Sequence, residues 1–503
     1  MATTRPELEV LAMDAQEPAL VSANLPRPGG VDPLGLRQLN FDLMDQVFPG
    51  INNVAEHIRP FTVVAWAWHR AARLANSQGL TQVKVSTLKD YVARVEVLFA
   101  WSQFLRNRDC GLPGRDVLAP LCRGGNYRFG GQAWEIMKEN RADSTALSAA
   151  INYGPALKAF GWIEADDTRT GAFRKGPKVD AALDSLEEAL GPFLDHPIFS
   201  SFGDVQAPAG LAEAIAGAWA LDQPTEEERS AMRESLSGSK APKSRKEAVE
   251  LVVAAHRFLG PASLVSSVRN AMCGTPESFR PPERLVGVAK AWRVLQARQV
   301  FRLALESLLY WTCTQLDSIP VTTRSLVQAF LEQAGGEVNA RAWLCPIHQE
   351  EMGPIHWLER LHLVLEGGAT DLNLCQTIRF ALAASLDDTD GKTGTEREDR
   401  LPLVRAAGEA QGWGDQPVLE FLTHVFDSWL FGQHVYWSVG RGLADARTQT
   451  RPILRLRVVM EETGWTRTPG ALMSLPRATP DRLETMISLM REARLLETPP
   501  THV

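Results

Sequence analysis

Four side chains able to hold a soft metal, Cys345, His348, His356 and His362, fall within 18 residues of this 503-residue chain. Zinc needs such a set held tetrahedrally, and its structural sites draw on regular spacings. Cys345-Pro346-Ile347-His348 followed by two isolated histidines matches none of the usual fingers or ribbons, so no metal is expected. Nucleotide hydrolysis needs a backbone cradle closed by Lys and Ser/Thr, and Gly391-Lys392-Thr393 lacks the glycine five positions upstream. The carboxylates before it, Asp387, Asp388 and Asp390, could hold a divalent cation for phosphodiester cleavage, but in this Gly/Thr/Glu-rich stretch they read as a surface loop. The glycine-dense run Cys122 to Gly131 fits neither phosphate-loop pattern and reads as a connecting loop. HExxH and GxSxG are absent, and His57, His69 and His434 stand alone. No catalytic residue and no cofactor is assigned.

The chemistry that remains is cationic. Arg169, Arg174, Lys175 and Lys178 sit close together, and Arg455 and Arg457 belong to a stretch, 441–494, with ten Arg against six Asp+Glu. The whole chain carries a formal charge of -7, which excludes a general basic coat and leaves room only for local phosphate contacts. A further cluster, Lys240, Lys243, Arg245 and Lys246, reads as a solvated linker beside Gly238 and Pro242.

The elements that must position these cations are mostly helices. Leu36, Leu39, Leu43 and Val47 recur at helical spacing, a second helix runs from Pro60 to about Asn76, and a third spans about Thr87 to Arg106. Thr145 to Phe160 reads as a helix broken at Gly154-Pro155. Gly161-Trp162-Ile163 then reads as a strand, Gly171 to Arg174 as its return, and the residues after Gly176-Pro177 as a helix with Val179, Leu183, Leu186 and Leu190 on one side. A helix followed by a two-stranded hairpin is the order of a winged helix-turn-helix, in which the hairpin touches phosphate; such units also bind protein, and both readings stay open. Near the end, Pro452 to Thr463 reads as a helix stopped by Gly464-Trp465, and Thr479-Pro480-Asp481 opens another.

The expected fold class is therefore mainly α: a multi-helix bundle with one or two embedded winged-helix-like units. Its parts are a flexible tail over 1–30, an N-terminal helical bundle over 31–135, a winged-helix-like unit over 136–195, a linker over 196–246, a helical domain over 247–440 and a basic C-terminal unit over 441–503. Apolar residues make up 45% of the chain, enough for a sizeable core, and the six cysteines form no disulfide framework. No secretory peptide opens the sequence and no apolar stretch reaches membrane-spanning length, so a soluble cytoplasmic protein without membrane contact is expected.

Asp32-Pro33-Leu34-Gly35-Leu36, Phe48-Pro49-Gly50-Ile51-Asn52-Asn53 and Arg59-Pro60-Phe61 with Trp66 resemble the start of uncharacterised bacterial proteins encoded beside restriction and phage-defence genes. Leu157-x-x-Phe160-Gly161-Trp162-Ile163 and Thr479-Pro480-Asp481-Arg482-Leu483 are similar to the same group. The layout, with winged-helix-like units near both ends, is also similar to the kleisin subunits of bacterial SMC-type complexes, although a kleisin begins with its winged helix and this chain begins with helices. The helix-hairpin-helix window, the local basic surplus and this likeness together lead to the expectation of a non-enzymatic, DNA-associated subunit of an antiphage complex, with double-stranded DNA and other subunits as partners. Arg169, Arg174, Lys175, Lys178, Arg455 and Arg457 are the expected DNA contacts. A scaffold without DNA contact is the alternative, and a metal-dependent nuclease a more distant one.

Overall fold

A computed structural model describes residues 32–79, 83–123, 125–273, 279–345, 354–368, 373–387, 400–448, 455–469, 471 and 474–497. The chain is mainly helical, as its periodicity requires. It opens with α1 (Arg37–Val47), α2 (Arg59–Ser77) and α3 (Val85–Arg106). Pro60 sits in the first turn of α2, where its missing N–H costs nothing. The glycine-dense run expected as a loop instead forms β1 (Asn126–Phe129), followed by α4 (Gly131–Ala142).

Only α5 (Gly154–Ala159) is helical within the expected 145–160 helix. Pro155 has no N–H to continue a ladder from upstream, and 143–153 folds into turns. The Asn152 amide donates to the carbonyls of Ser144 (3.0 Å) and Ala146 (2.7 Å), and buried Glu96 accepts from the N–H of Leu147 at 2.9 Å. The expected hairpin then appears as β2 (Ile163–Ala165) and β3 (Phe173–Lys175), antiparallel with Glu164 opposite Arg174, and α6 (Asp180–Leu190) follows.

The stretch expected as a linker is part of the core. It contains β4 (Val205–Pro208), paired antiparallel with β1, then α7 (Glu226–Ser237), and α8 (Lys243–Leu259) begins within it. Thr225 and Glu228 close a capping box on α7, while Met232 and Leu236 are fully buried. Prolines break this stretch into short elements without exposing it. After α9 (Val265–Met272) comes α10 (Val286–Gln315), 30 residues and about 45 Å long at helical rise. α11 (Thr323–Ala334), α12 (Pro354–Leu365), α13 (Leu374–Asp387), α14 (Leu403–Gly412) and α15 (Val418–His424) follow; α12 and α13 pack on α10, and the other three complete the core around its second half. A π-helix, Val425–Gly432, leads from α15 into α16 (Gln433–Thr448). Where a helix was expected over 452–463, residues 458–461 are β5 (Val458–Glu461), joined by a hairpin to β6 (Gly464–Arg467). Trp465 exchanges both main-chain hydrogen bonds with Val321, at 2.8 and 3.0 Å, which favours the extended form of this Val-rich segment. The last described helix is α17 (Leu483–Glu492).

Two hydrophobic cores result. The first runs from Met44 to Leu295 and is completed by Leu483 to Leu496; the second takes Leu34 and Leu36 and then Ala297 to Trp465. α10 passes through both, and a buried polar layer lies where they meet. Gln299 accepts from the Asn40 amide (3.3 Å) and the Thr479 N–H (3.2 Å) and donates to the Thr479 carbonyl (2.6 Å). Asp481 accepts from Arg269 Nε (2.6 Å) and from the Gln296 amide (2.9 Å). Arg302, fully buried, pairs with Glu306 one turn away and donates to the Arg477 carbonyl.

Candidate nucleic-acid interface

The β2–β3 hairpin stands on a rigid base. Trp68 of α2 meets the Phe173 ring edge-on at 5.4 Å, and the Trp162 indole, fully buried, donates to Ser235 Oγ of α7 at 3.1 Å. At the hairpin's neck the Gly176 N–H donates to the Trp162 carbonyl, and a Cβ on Gly176 would penetrate the Gly161 carbonyl oxygen. Arg245, read in the sequence as part of a solvated basic linker, is a buried strut instead. Its guanidinium donates to the carbonyls of Pro49 (2.7 Å), Ser235 (2.8 Å) and Ala159 (3.1 Å) and lies over the Phe160 ring. Two of those carbonyls end helices α7 and α5, where the helix dipole is negative. Burial lowers its pKa to about 10, which leaves it charged at neutral pH.

The candidate contact residues divide on this base. Arg174 pairs with Glu164 across the ladder (3.3 Å) and with Asp167 (3.4 Å). Lys175 is bound to Asp180, and Lys178 to Glu234. Over 163–175 the hairpin holds Glu164, Asp166 and Asp167 against Arg169, Arg174 and Lys175, so three negative charges balance three positive ones. Lys178 also borders a groove of about 480 Å³ between α6 and α7, rimmed by Glu226, Glu227, Arg233 and Glu234. Arg169 is half-buried at the hairpin's tip; it closes no ion pair among the described residues, but the Asp166 carboxylate three residues before it interacts with its charge.

Sequence reasoning missed three further cations: Lys89 and Lys158, which lie against the hairpin, and Lys84, which adjoins Val85 there. Lys84 and Lys89 sit at the start of α3 and Lys158 on α5; all are exposed and lack an acidic partner among the described residues. The Lys89 Nζ comes within 3.7 Å, and the Val85 side chain within 4.0 Å, of where a Cβ on Gly171 would stand. Lys158 Nζ lies 4.8 Å from the Phe173 ring centroid. They were not legible in sequence because α3 reaches the hairpin only through the fold.

The C-terminal pair is differently placed. Arg457 is 3% exposed, with its N–H donating to His434 Nε2 at 2.8 Å, so its guanidinium cannot reach a duplex. Arg455 is half-buried beside it, and its carbonyl accepts from Ser438. His434 is held as a neutral core imidazole, its pKa lowered to about 4 by burial even though its ring N–H donates to the Pro33 carbonyl at 2.8 Å. His57 behaves otherwise: burial opposes its charge, but the hydrogen bond and charge of Glu492 at 2.6 Å outweigh it and raise the pKa.

No group of three or more potential metal ligands occurs among the described residues. Cys345 is exposed, His356 packs edge-on against Trp357, and His362 pairs with Glu366 at 3.3 Å. His348, Gly391-Lys392-Thr393 and the tail over 1–30 lie outside the described residues. No described helix is long and apolar enough to cross a membrane. The chain matches no protein-family model, no curated protein and no solved structure.

Proposed function

We propose that this chain is a non-enzymatic, duplex-DNA-associated subunit of a bacterial antiphage complex, which meets phosphate beside its hairpin and docks partner proteins through its helical body. The observation that carries the reading is the helix, hairpin, helix order with Lys84, Lys89, Lys158 and Arg169 around the hairpin tip, none of which closes an ion pair among the described residues. The defence setting is supported by the resemblance of the opening segment, Asp32 to Trp66.

A second reading, a docking scaffold without DNA contact, is favoured by the ion pairs that neutralise Arg174, Lys175 and Lys178. Binding of the purified protein to a fluorescent duplex across a salt series separates the two. Phosphate contacts make affinity fall steeply with salt, and a scaffold binds no duplex even at low salt.

A further inference from the structure

We infer that the ligand of the hairpin region is the sugar-phosphate backbone of duplex DNA, held without base readout by Lys84, Lys89, Lys158 and Arg169 rather than by Arg174, Lys175 and Lys178. This deepens the DNA-associated reading above and rests on it.

Charge selects the contact set. A phosphate approaching Arg174 has to displace Glu164 and Asp167, and one approaching Lys175 or Lys178 has to displace Asp180 or Glu234. At the tip the competition is looser: Lys84, Lys89 and Lys158 close no ion pair among the described residues, and Arg169 is met only through the charge of Asp166. Asp167 is turned to Arg174, and Asp166 accepts from the Thr168 hydroxyl at 2.6 Å and its N–H at 2.9 Å; these bonds, with a smaller contribution from the Arg169 charge, hold that carboxyl below its usual range. The four cations come from the start of α3, from α5 and from the hairpin turn, so they form a surface only in the folded protein. Like charges gathered in this way repel one another, and a phosphate row relieves the repulsion.

Absence of base readout follows from α5. In a winged helix-turn-helix the helix before the hairpin reads base edges, through Arg, Lys, Asn, Gln, Ser or Thr. α5 has six residues, and its exposed positions are Pro155, Lys158 and Ala159. One flexible ammonium gives no paired donor and acceptor to tell one base pair from another, but it suits a phosphate.

The test measures dissociation constants for two short duplexes of unrelated sequence across a salt series, using the full-length protein, Lys89→Ala/Arg169→Ala and Arg174→Ala/Lys175→Ala. All the substituted side chains are partly or fully exposed, and circular dichroism checks that each variant folds. The expected result is affinities for the two duplexes that agree within about threefold, because base-reading proteins lose far more on a wrong sequence. The slope of log affinity against log salt should fall by about two in Lys89→Ala/Arg169→Ala and stay at the parental value in Arg174→Ala/Lys175→Ala. Duplex binding with the reverse pattern of slopes, or with a preference of about 1000-fold for one sequence, overturns this inference and leaves the DNA-associated reading standing. Failure to bind either duplex at low salt overturns both.

Discussion

Arg245 is buried with no carboxylate paired to it among the described residues, and three main-chain carbonyls hold its charge. Replacing it with Met should leave those carbonyls unpaired and cost about 3 kcal/mol, read as a lower urea midpoint. Arg245→Lys should fail nearly as badly, since one ammonium cannot span acceptors on three separate segments. His434 makes a pH prediction. Its folded pKa of about 4 lies below the ordinary 6.5, so between those values the unfolded chain binds a proton that the folded chain refuses. Its contribution is therefore complete above pH 6.5 and declines by about 1.4 kcal/mol per pH unit as the pH falls toward 4. Urea midpoints at pH 7 and pH 5 should differ less in His434→Gln than in the parent. Neither residue could be read this way beforehand. Arg245 stood in a run of basic residues with the look of a linker, and its three acceptors come from distant parts of the sequence.

Helices were the most legible elements and strands the least. α1, α2 and α3 follow their apolar periodicity to within a few residues, because a 3.6-residue stripe is a local property. The 145–160 segment deceived for the opposite reason: its turns are stabilised by Asn152 and by Glu96 from another helix, which no local pattern announces. β5 looked helical because the bridge between Trp465 and Val321 that favours extension joins positions far apart in the chain. The hairpin's order was legible, whereas its charge balance was not: three of the four expected contacts there are tied to carboxylates, one of them, Glu234, on α7. At this scale the neck of the hairpin is the sensitive point. Gly176→Ala would force a methyl group into the Gly161 carbonyl, and a cost of about 2–3 kcal/mol is expected. Amide hydrogen exchange should show it as faster exchange over 163–175, with α10 little changed.

At the scale of the molecule, α10, the segment around α1 and the run from Trp465 to α17 each pass from one core to the other. The polar layer fixes their register, and Asp481, 5% exposed, joins Arg269 and Gln296 within it. Asp481→Ala should strand the Arg269 guanidinium and cost about 3 kcal/mol. Tryptophans occupy both cores, so far-UV circular dichroism and fluorescence should report one coincident denaturant transition in the parent and separated transitions in the variant. The route of the chain also sets an order of events on the ribosome. The first core is built almost wholly from residues before 296, yet Leu483, Met486 and Met490 fill it from near the other end of the sequence. At about 5–20 residues per second, the interval between making Leu295 and Leu483 is roughly 10–40 s. During that time the nascent N-terminal half exposes the apolar seat of α17, and a product that stops short of Leu483 keeps that seat uncovered and open to proteolysis.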